Sequence, residues 1–194
     1  MSLKERIYSV LVVSAAEKMN TALSSLLTEP HYHPVRFVSN VSAAKRIWNE
    51  QEYDYLIINS PLPDDTGIRF AIDAAGARGS VVALLVRAEL YEELFDKAAP
   101  HGIFVLSKPL SRQLFATALD WMESARERLR KQEQKSLSIE EKMAEIRAVN
   151  RAKWLLISEL KMDEPQAHRY IEKQAMDQCI SRREVAEDII RTYA

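Results

Sequence analysis

Over the first 110 positions, apolar residues gather in five short, nearly continuous runs: Tyr8 to Val13, Val35 to Val38, Tyr55 to Ile58, Val81 to Val86 and Ile103 to Leu106. Each run is too brief for a helix and lacks the alternation of a half-solvated strand, so the pattern predicts parallel strands covered on both faces. Between them, Glu17 to Leu27 and Ala43 to Glu50 place apolar residues three and four apart, as amphipathic helices do. Five such β/α repeats predict a doubly wound, flavodoxin-like α/β domain with a five-stranded parallel sheet. Ligands of open sheets sit at the carboxyl ends of the strands. The turn Pro61-Leu-Pro-Asp-Asp-Thr-Gly67 follows the third strand there, with Asp and Gly suited to local hydrogen bonding and backbone freedom.

Beyond Leu110 the strand signal stops. No glycine follows Gly102, and Pro165 is the sole proline after Pro109. Alternating steps of three and four from Phe115 visit Ala118, Met122, Ala125, Leu129, Gln132, Ser136, Ile139, Met143, Ile146, Asn150, Lys153, Ile157 and Leu160, two apolar blocks around a polar middle. This predicts a long helix of heptad character that pairs as a dimeric coiled coil, with Gln132, Ser136 and Asn150 fixing the register at some cost in stability. One amphipathic helix packed on its own domain, or two helices broken near Ser136 to Ser138, would give the same pattern. Further on, Asp163 is placed to cap a helix that opens with Glu164-Pro165 and runs to about Gln178. Ser181-Arg-Arg-Glu184 is a capping box that opens a last helix through Ile190. On the middle helix Ala167, Tyr170, Ile171 and Gln174 are expected inward, leaving Arg169 and Lys173 together outside. Trp154 is expected to pack between helices.

Charge narrows the range of functions. With 27 Lys+Arg against 28 Asp+Glu, the net charge of −1 excludes both a globally basic nucleic-acid binder and an acidic solvating tail. Contact with a polyanion must therefore come from a local patch. Between Arg147 and Arg183 there are eight basic residues and five acidic ones. In the first turn of the last helix, Arg182 and Arg183 stand beside free backbone N–H groups and form a candidate phosphate site. The lone Cys179 is read as an inert, partly buried helix residue, and the four His residues show no metal-ligand spacing. No cofactor or metal is expected. No run is long enough to span a bilayer, and MSLKERIYSV lacks the apolar core of a secretory signal, so a cytoplasmic location is expected. No nucleophile–base set, carboxylate pair or glycine-rich phosphate loop emerges, which argues against an enzyme.

The α/β pattern ending in Leu106-Ser-Lys-Pro109, over roughly residues 7–125, resembles the receiver domain of two-component response regulators. That resemblance implies an acidic pair after the first strand to hold Mg²⁺, a phosphoacceptor Asp ending the third, a hydroxyl residue ending the fourth and a lysine after the fifth. Here Ser14 and Ala15 replace the acidic pair, Asn59 replaces the phosphoacceptor, Leu85 or Val86 stands at the hydroxyl position, and Lys108 alone remains. A carboxamide forms no acyl phosphate, and Ser14, Ala15 and Asn59 bring no charge to offset dehydration of Mg²⁺. A pseudo-receiver controlled by a protein partner, a ligand or expression level is expected.

The later segments, Asn150-Arg-Ala-Lys-Trp154, Glu164 to Ala167, Ala175-Met176 and Val185-Ala186, resemble in order and spacing the ANTAR domain, a three-helix RNA-binding module of antitermination regulators. The resemblance implies binding to stem-loops of a nascent leader transcript. Beside it, the residues' own placement on these helices gives Asn150, Lys153, His168, Arg169, Lys173, Arg182 and Arg183 as candidate RNA-binding residues, with Tyr170, His168 and Tyr193 as possible stacking platforms. A DNA-binding three-helix module and a protein-interaction module remain alternatives. The expected organisation is a receiver-like domain at 1–125, a coiled-coil linker at 111–150 and an ANTAR-like domain at 139–194, acting as a homodimer.

Overall fold

The computed structural model describes residues 6–76 and 79–193. Part of the amino-terminal segment read above for a signal therefore lies outside the described residues. The chain divides into two compact units, one ending at Lys131 and one beginning at Gln132.

In the first unit five parallel strands take the order β2-β1-β3-β4-β5, with β1 at Tyr8–Val13, β2 at Tyr32–Val38, β3 at Tyr55–Asn59, β4 at Val81–Arg87 and β5 at Phe104–Lys108. The helices between them are α1 (Glu17–Ser24), α2 (Val41–Glu50), α3 (Ile68–Gly76) and α4 (Tyr91–Ala98), and α5 (Arg112–Leu160) follows. Strand periodicity sorts the apolar runs onto two faces. Leu11, Val13, Leu56, Ile58, Val82, Leu84 and Val86 meet Val41, Ala44, Phe70, Ala71, Ala74 and Leu94 of α2, α3 and α4. Val10, Val12, Tyr55, Ile57, Ala83 and Leu85 meet Leu23 of α1 and Phe115, Ala118, Leu119 and Met122 of α5. Gly67 must be glycine: its φ is +80°, and a Cβ there would lie 2.8 Å from Ile58 Cγ2.

A polar cluster ties α5 to the amino edge of this sheet. Asp54, just before β3, accepts hydrogen bonds from Ser9 N (3.0 Å), Ser9 Oγ (3.1 Å), Arg126 Nε (2.8 Å) and Arg130 Nη2 (3.4 Å). One turn away, the buried Glu127 accepts from the Tyr8 hydroxyl and Arg130 Nη1, both at 3.2 Å, and pairs with Arg6. Burial, and then the Glu123 and Glu127 carboxylates, push the Tyr8 phenol well above its ordinary pKa.

The second unit comprises the distal part of α5 with α6 (Glu164–Gln178) and α7 (Arg182–Tyr193). Its core is Ala152, Leu156, Ala167, Ile171, Ala175, Val185, Ala186 and Ile189. Half of these are alanines, which let the helix backbones approach closely. Both expected caps are formed. Asp163 Oδ1 accepts from Gln166 N at 2.7 Å while Gln166 Oε1 accepts from Asp163 N at 3.0 Å. Ser181 N donates to Glu184 Oε2 at 2.8 Å and Ser181 Oγ accepts from Glu184 N at 3.2 Å.

Several expectations are corrected. The long helix does not break near Ser136 to Ser138. The front of the proposed seam is consumed inside the first unit, because Phe115, Ala118 and Met122 are buried against the sheet. Ile139, Met143 and Ile146 remain exposed at 54–59%. Trp154 is 72% exposed, since the buried line of α5 passes through Ala152 and Leu156 on the other side. Tyr170 is exposed beside the fully buried Ile171, which takes the inward position. Cys179 is an exposed residue in left-handed conformation (φ +53°) that ends α6, rather than a buried helix residue.

Removing the Asp54 carboxylate leaves two partly buried guanidinium groups without their shared acceptor. Asp54→Ala is expected to cost about 2–4 kcal/mol in urea unfolding of the first unit. A loss below about 0.5 kcal/mol would show that the cluster does not hold α5 in place.

Candidate functional site

Parallel register brings four side chains to the carboxyl edge of the sheet. Val13 pairs with Ile58, so Ser14 and Asn59 follow side by side; Asn59 pairs with Leu85, and Arg87 with Lys108. Lys108, Asn59 and Ser14 form a hydrogen-bonded chain. Lys108 Nζ donates to Asn59 Oδ1 at 2.7 Å and to the Ser60 carbonyl at 2.5 Å. Asn59 Nδ2 donates to Ser14 Oγ at 3.0 Å, which also accepts from Ala16 N at 3.3 Å. Ser14, Asn59 and Ser60 are buried and Ala15 is exposed at the rim. A carboxamide thus faces the half-buried ammonium where an acid would carry charge. Burial, and then the nearby Arg87 charge, lower the pKa of Lys108.

The residue that ends the fourth strand is Arg87, which corrects the choice between Leu85 and Val86. Both of those are fully buried, on opposite faces of the sheet. Strand β4 runs one residue past the apolar run, so the exposed Arg87 is the side chain set against Lys108. Reasoning from the apolar run alone missed it, because register with a neighbouring strand decides where a strand ends. The carboxylates of the following turn are engaged locally. Asp64 accepts from Val41 N, Ser42 N and Ser42 Oγ, each at 3.0 Å, and so caps α2. Those bonds, Val41 N foremost, hold its carboxyl below the usual range. Asp65 Oδ1 accepts from Gly67 N at 2.7 Å inside the turn.

In the second unit the candidate nucleic-acid residues fall into two groups. Four have carboxylate partners: Lys153 with Glu164 (2.8 Å), His168 with Glu172 (3.3 Å), Arg182 with Glu145 (3.1 Å) and Arg183 with Glu187 (2.8 Å). The start of α7 is occupied by the protein's own Glu184, held to Ser181, so the expected phosphate site there is already filled by carboxylate. Arg169 and Lys173, one turn apart on the exposed side of α6, form no ion pair among the described residues. Asn150 is exposed on α5, one turn beyond Ile146. Beside this face a shallow pocket of about 360 Å³ is lined by Glu172, Ala175, Met176, Ile180 and Arg182.

Comparison with known proteins places both units. Residues 138–190 match the ANTAR domain family. Over 184 residues the chain is 26% identical to the transcriptional regulatory protein PdtaR of Mycobacterium tuberculosis H37Rv, an alignment covering 94% of this chain and 89% of that protein. The first unit is similar in fold to the signal receiver domain of an HD domain-containing protein from Pseudomonas fluorescens Pf-5, with a TM-score of 0.58 and 23% identity over 68% of this chain and 96% of that one. It is similar also to a response regulator receiver domain protein from Clostridium thermocellum, with a TM-score of 0.55 and 17% identity over 63% of this chain and 98% of that one.

The amide at Asn59 and the lack of charge at Ser14 and Ala15 lead to a chemical expectation. Incubation with acetyl phosphate and Mg²⁺ is expected to leave the intact mass unchanged, and a stable phosphoryl adduct would contradict it.

Proposed function

We propose that this chain, in which an ANTAR domain follows a receiver-like domain, is an RNA-binding transcription antitermination regulator whose front domain is a pseudo-receiver. As a dimer it presents two helical units to stem-loops of a nascent leader transcript. It works by binding, with no cofactor, and in the cytoplasm. The observation that carries this reading is the pair Arg169 and Lys173, cations on the exposed side of α6 that have no carboxylate partner among the described residues. Surface cations engaged by neighbouring acids contribute little to a polyanion contact, because their charge is already offset. Lys153, His168, Arg182 and Arg183 then act as the supporting rim, able to exchange a carboxylate for a phosphate. The exposed Tyr170 and His168 supply faces on which an unstacked loop base can rest.

The proposed dimer is supported by Ile139, Met143 and Ile146, exposed at three- and four-residue spacing on one side of α5. Asn150 continues the same stripe and fits the register-setting role better than RNA contact. A DNA-reading alternative finds no support in α7, whose outer side carries Glu187 and Asp188 paired with Arg183 and Arg191.

The test compares a two-hairpin leader RNA with duplex DNA of equal length at two salt concentrations. Preference for RNA is expected. Arg169→Ala with Lys173→Ala should weaken RNA binding about tenfold or more and lower the salt slope by about 1–2. Arg182→Ala with Arg183→Ala should cost less. Preference for the duplex would replace this reading with a DNA-binding one, and binding to neither with a protein-interaction module. Separately, Ile146→Glu should shift the sedimentation of the chain from dimer to monomer without loss of helix content.

A further inference from the structure

We propose that the carboxyl edge of the sheet is a reversible binding site for a phosphate-class oxyanion, gripped between Arg87 and Lys108, and that its occupancy is read by the front domain without any covalent transfer. The inference is independent of RNA binding by the helical unit. It rests on what the edge has lost and gained together. Ser14, Ala15 and Asn59 remove every carboxylate from the positions where an acidic site would sit, while β4 now ends in a guanidinium. Two cations therefore stand in register across β4 and β5, and among the described residues neither forms an ion pair. The nearby carboxylates of the β3–α3 turn are held elsewhere, Asp64 by the start of α2 and Asp65 by Gly67 N. Glu17 and Glu89, also at this rim, form no ion pair with either cation.

The donors suit an oxyanion in number and kind. Lys108 Nζ directs two of its three N–H bonds to neutral acceptors, Asn59 Oδ1 and the Ser60 carbonyl, and keeps one to give. Those two bonds fix the ammonium in place, so an incoming anion meets an ordered charge. Ser14 Oγ accepts twice, from Asn59 Nδ2 and Ala16 N, and has its own proton to donate. Arg87 is exposed and offers the planar fork that suits phosphate oxygens. The amino end of the eight-residue α1 opens on the same edge, and its N-cap residue Ala16 supplies no side-chain acceptor to its N–H groups. Burial, and then the Arg87 charge, lower the pKa of Lys108, the direction expected of a half-buried ammonium beside a second cation.

The experiment is a titration of the full-length protein with sodium phosphate, followed by thermal unfolding and calorimetry at ionic strength held constant with NaCl. Parallel arms use glycerol phosphate and acetate. A saturable rise in Tm of about 3 °C is expected at phosphate well above its dissociation constant. Arg87→Gln should weaken phosphate binding at least tenfold, and Arg87→Lys should restore part of it. A stronger response to glycerol phosphate assigns the site to an esterified ligand, and a stronger response to phosphate assigns it to the free ion. No saturable response in the unmodified protein, an equal response to acetate, or undiminished binding in Arg87→Gln overturns the proposal. RNA affinity of the same preparations, measured without phosphate, is expected to be unchanged by Arg87→Gln, which separates this site from the RNA reading.

Discussion

One helix belongs to two cores, and most other features follow from that constraint. Near its start, α5 gives Phe115, Ala118, Leu119 and Met122 to the sheet; near its end, it gives Ala152 and Leu156 to the helical unit. Between these stretches the helix lacks a core of its own, and there the polar Gln132 and Ser136 and the exposed Ile139, Met143 and Ile146 occur. A 49-residue helix is far longer than the three or four turns usual in globular domains. Its middle has little intrachain packing to stabilise it, and the proposed pairing along the apolar stripe would supply what is missing. The Asp54 cluster acts where the first core gives out, at Arg126 and Arg130, and fixes the last turns that the sheet can hold.

At the other edge of the sheet, an electrostatic replacement governs the chemistry. Where an Asp–Lys pair would balance charge, Asn59 and Lys108 make a hydrogen bond that leaves the positive charge uncancelled. Such a contact is worth on the order of 1–2 kcal/mol and supplies geometry without neutralisation. The edge at Asn59 and Lys108 therefore carries uncancelled positive charge, the sign that suits the proposed oxyanion site.

What could be read from the sequence depended on how local the determining interaction was. The central strands β1, β3 and β4 were legible because burial on both faces writes an unbroken apolar run. The edge strand β2 begins three residues before its expected start at Val35, because its exposed side tolerates His33 and Arg36. The caps at Asp163 and Ser181 were legible, since acceptor and donor lie three residues apart. Arg87 was not, because its place is set by pairing with Lys108 on a neighbouring strand. Nor was the neutralisation of Arg182, whose partner Glu145 lies on another helix. Trp154 and Tyr170 were misassigned for a related reason: each sits beside a smaller or better-placed residue, Ala152 or Ile171, and helix phase is decided by which neighbour finds a partner.

The near-zero net charge then takes on a definite meaning. In the helical unit Lys153, His168, Arg182 and Arg183 each face a carboxylate, while Arg169 and Lys173 on α6 form no ion pair among the described residues. A patch of two such cations is too small to hold a polyanion tightly, since each phosphate neutralised contributes a modest, salt-sensitive increment. In the proposed dimer, duplicating the patch through the α5 stripe would change the arithmetic: once one unit engaged a hairpin, the second would meet its own at an effective concentration that can reach the millimolar range. Weak single sites joined this way would favour a transcript with two suitably spaced hairpins over any single hairpin. On that proposal, the balanced charge that argues against general nucleic-acid affinity is the condition for the discrimination.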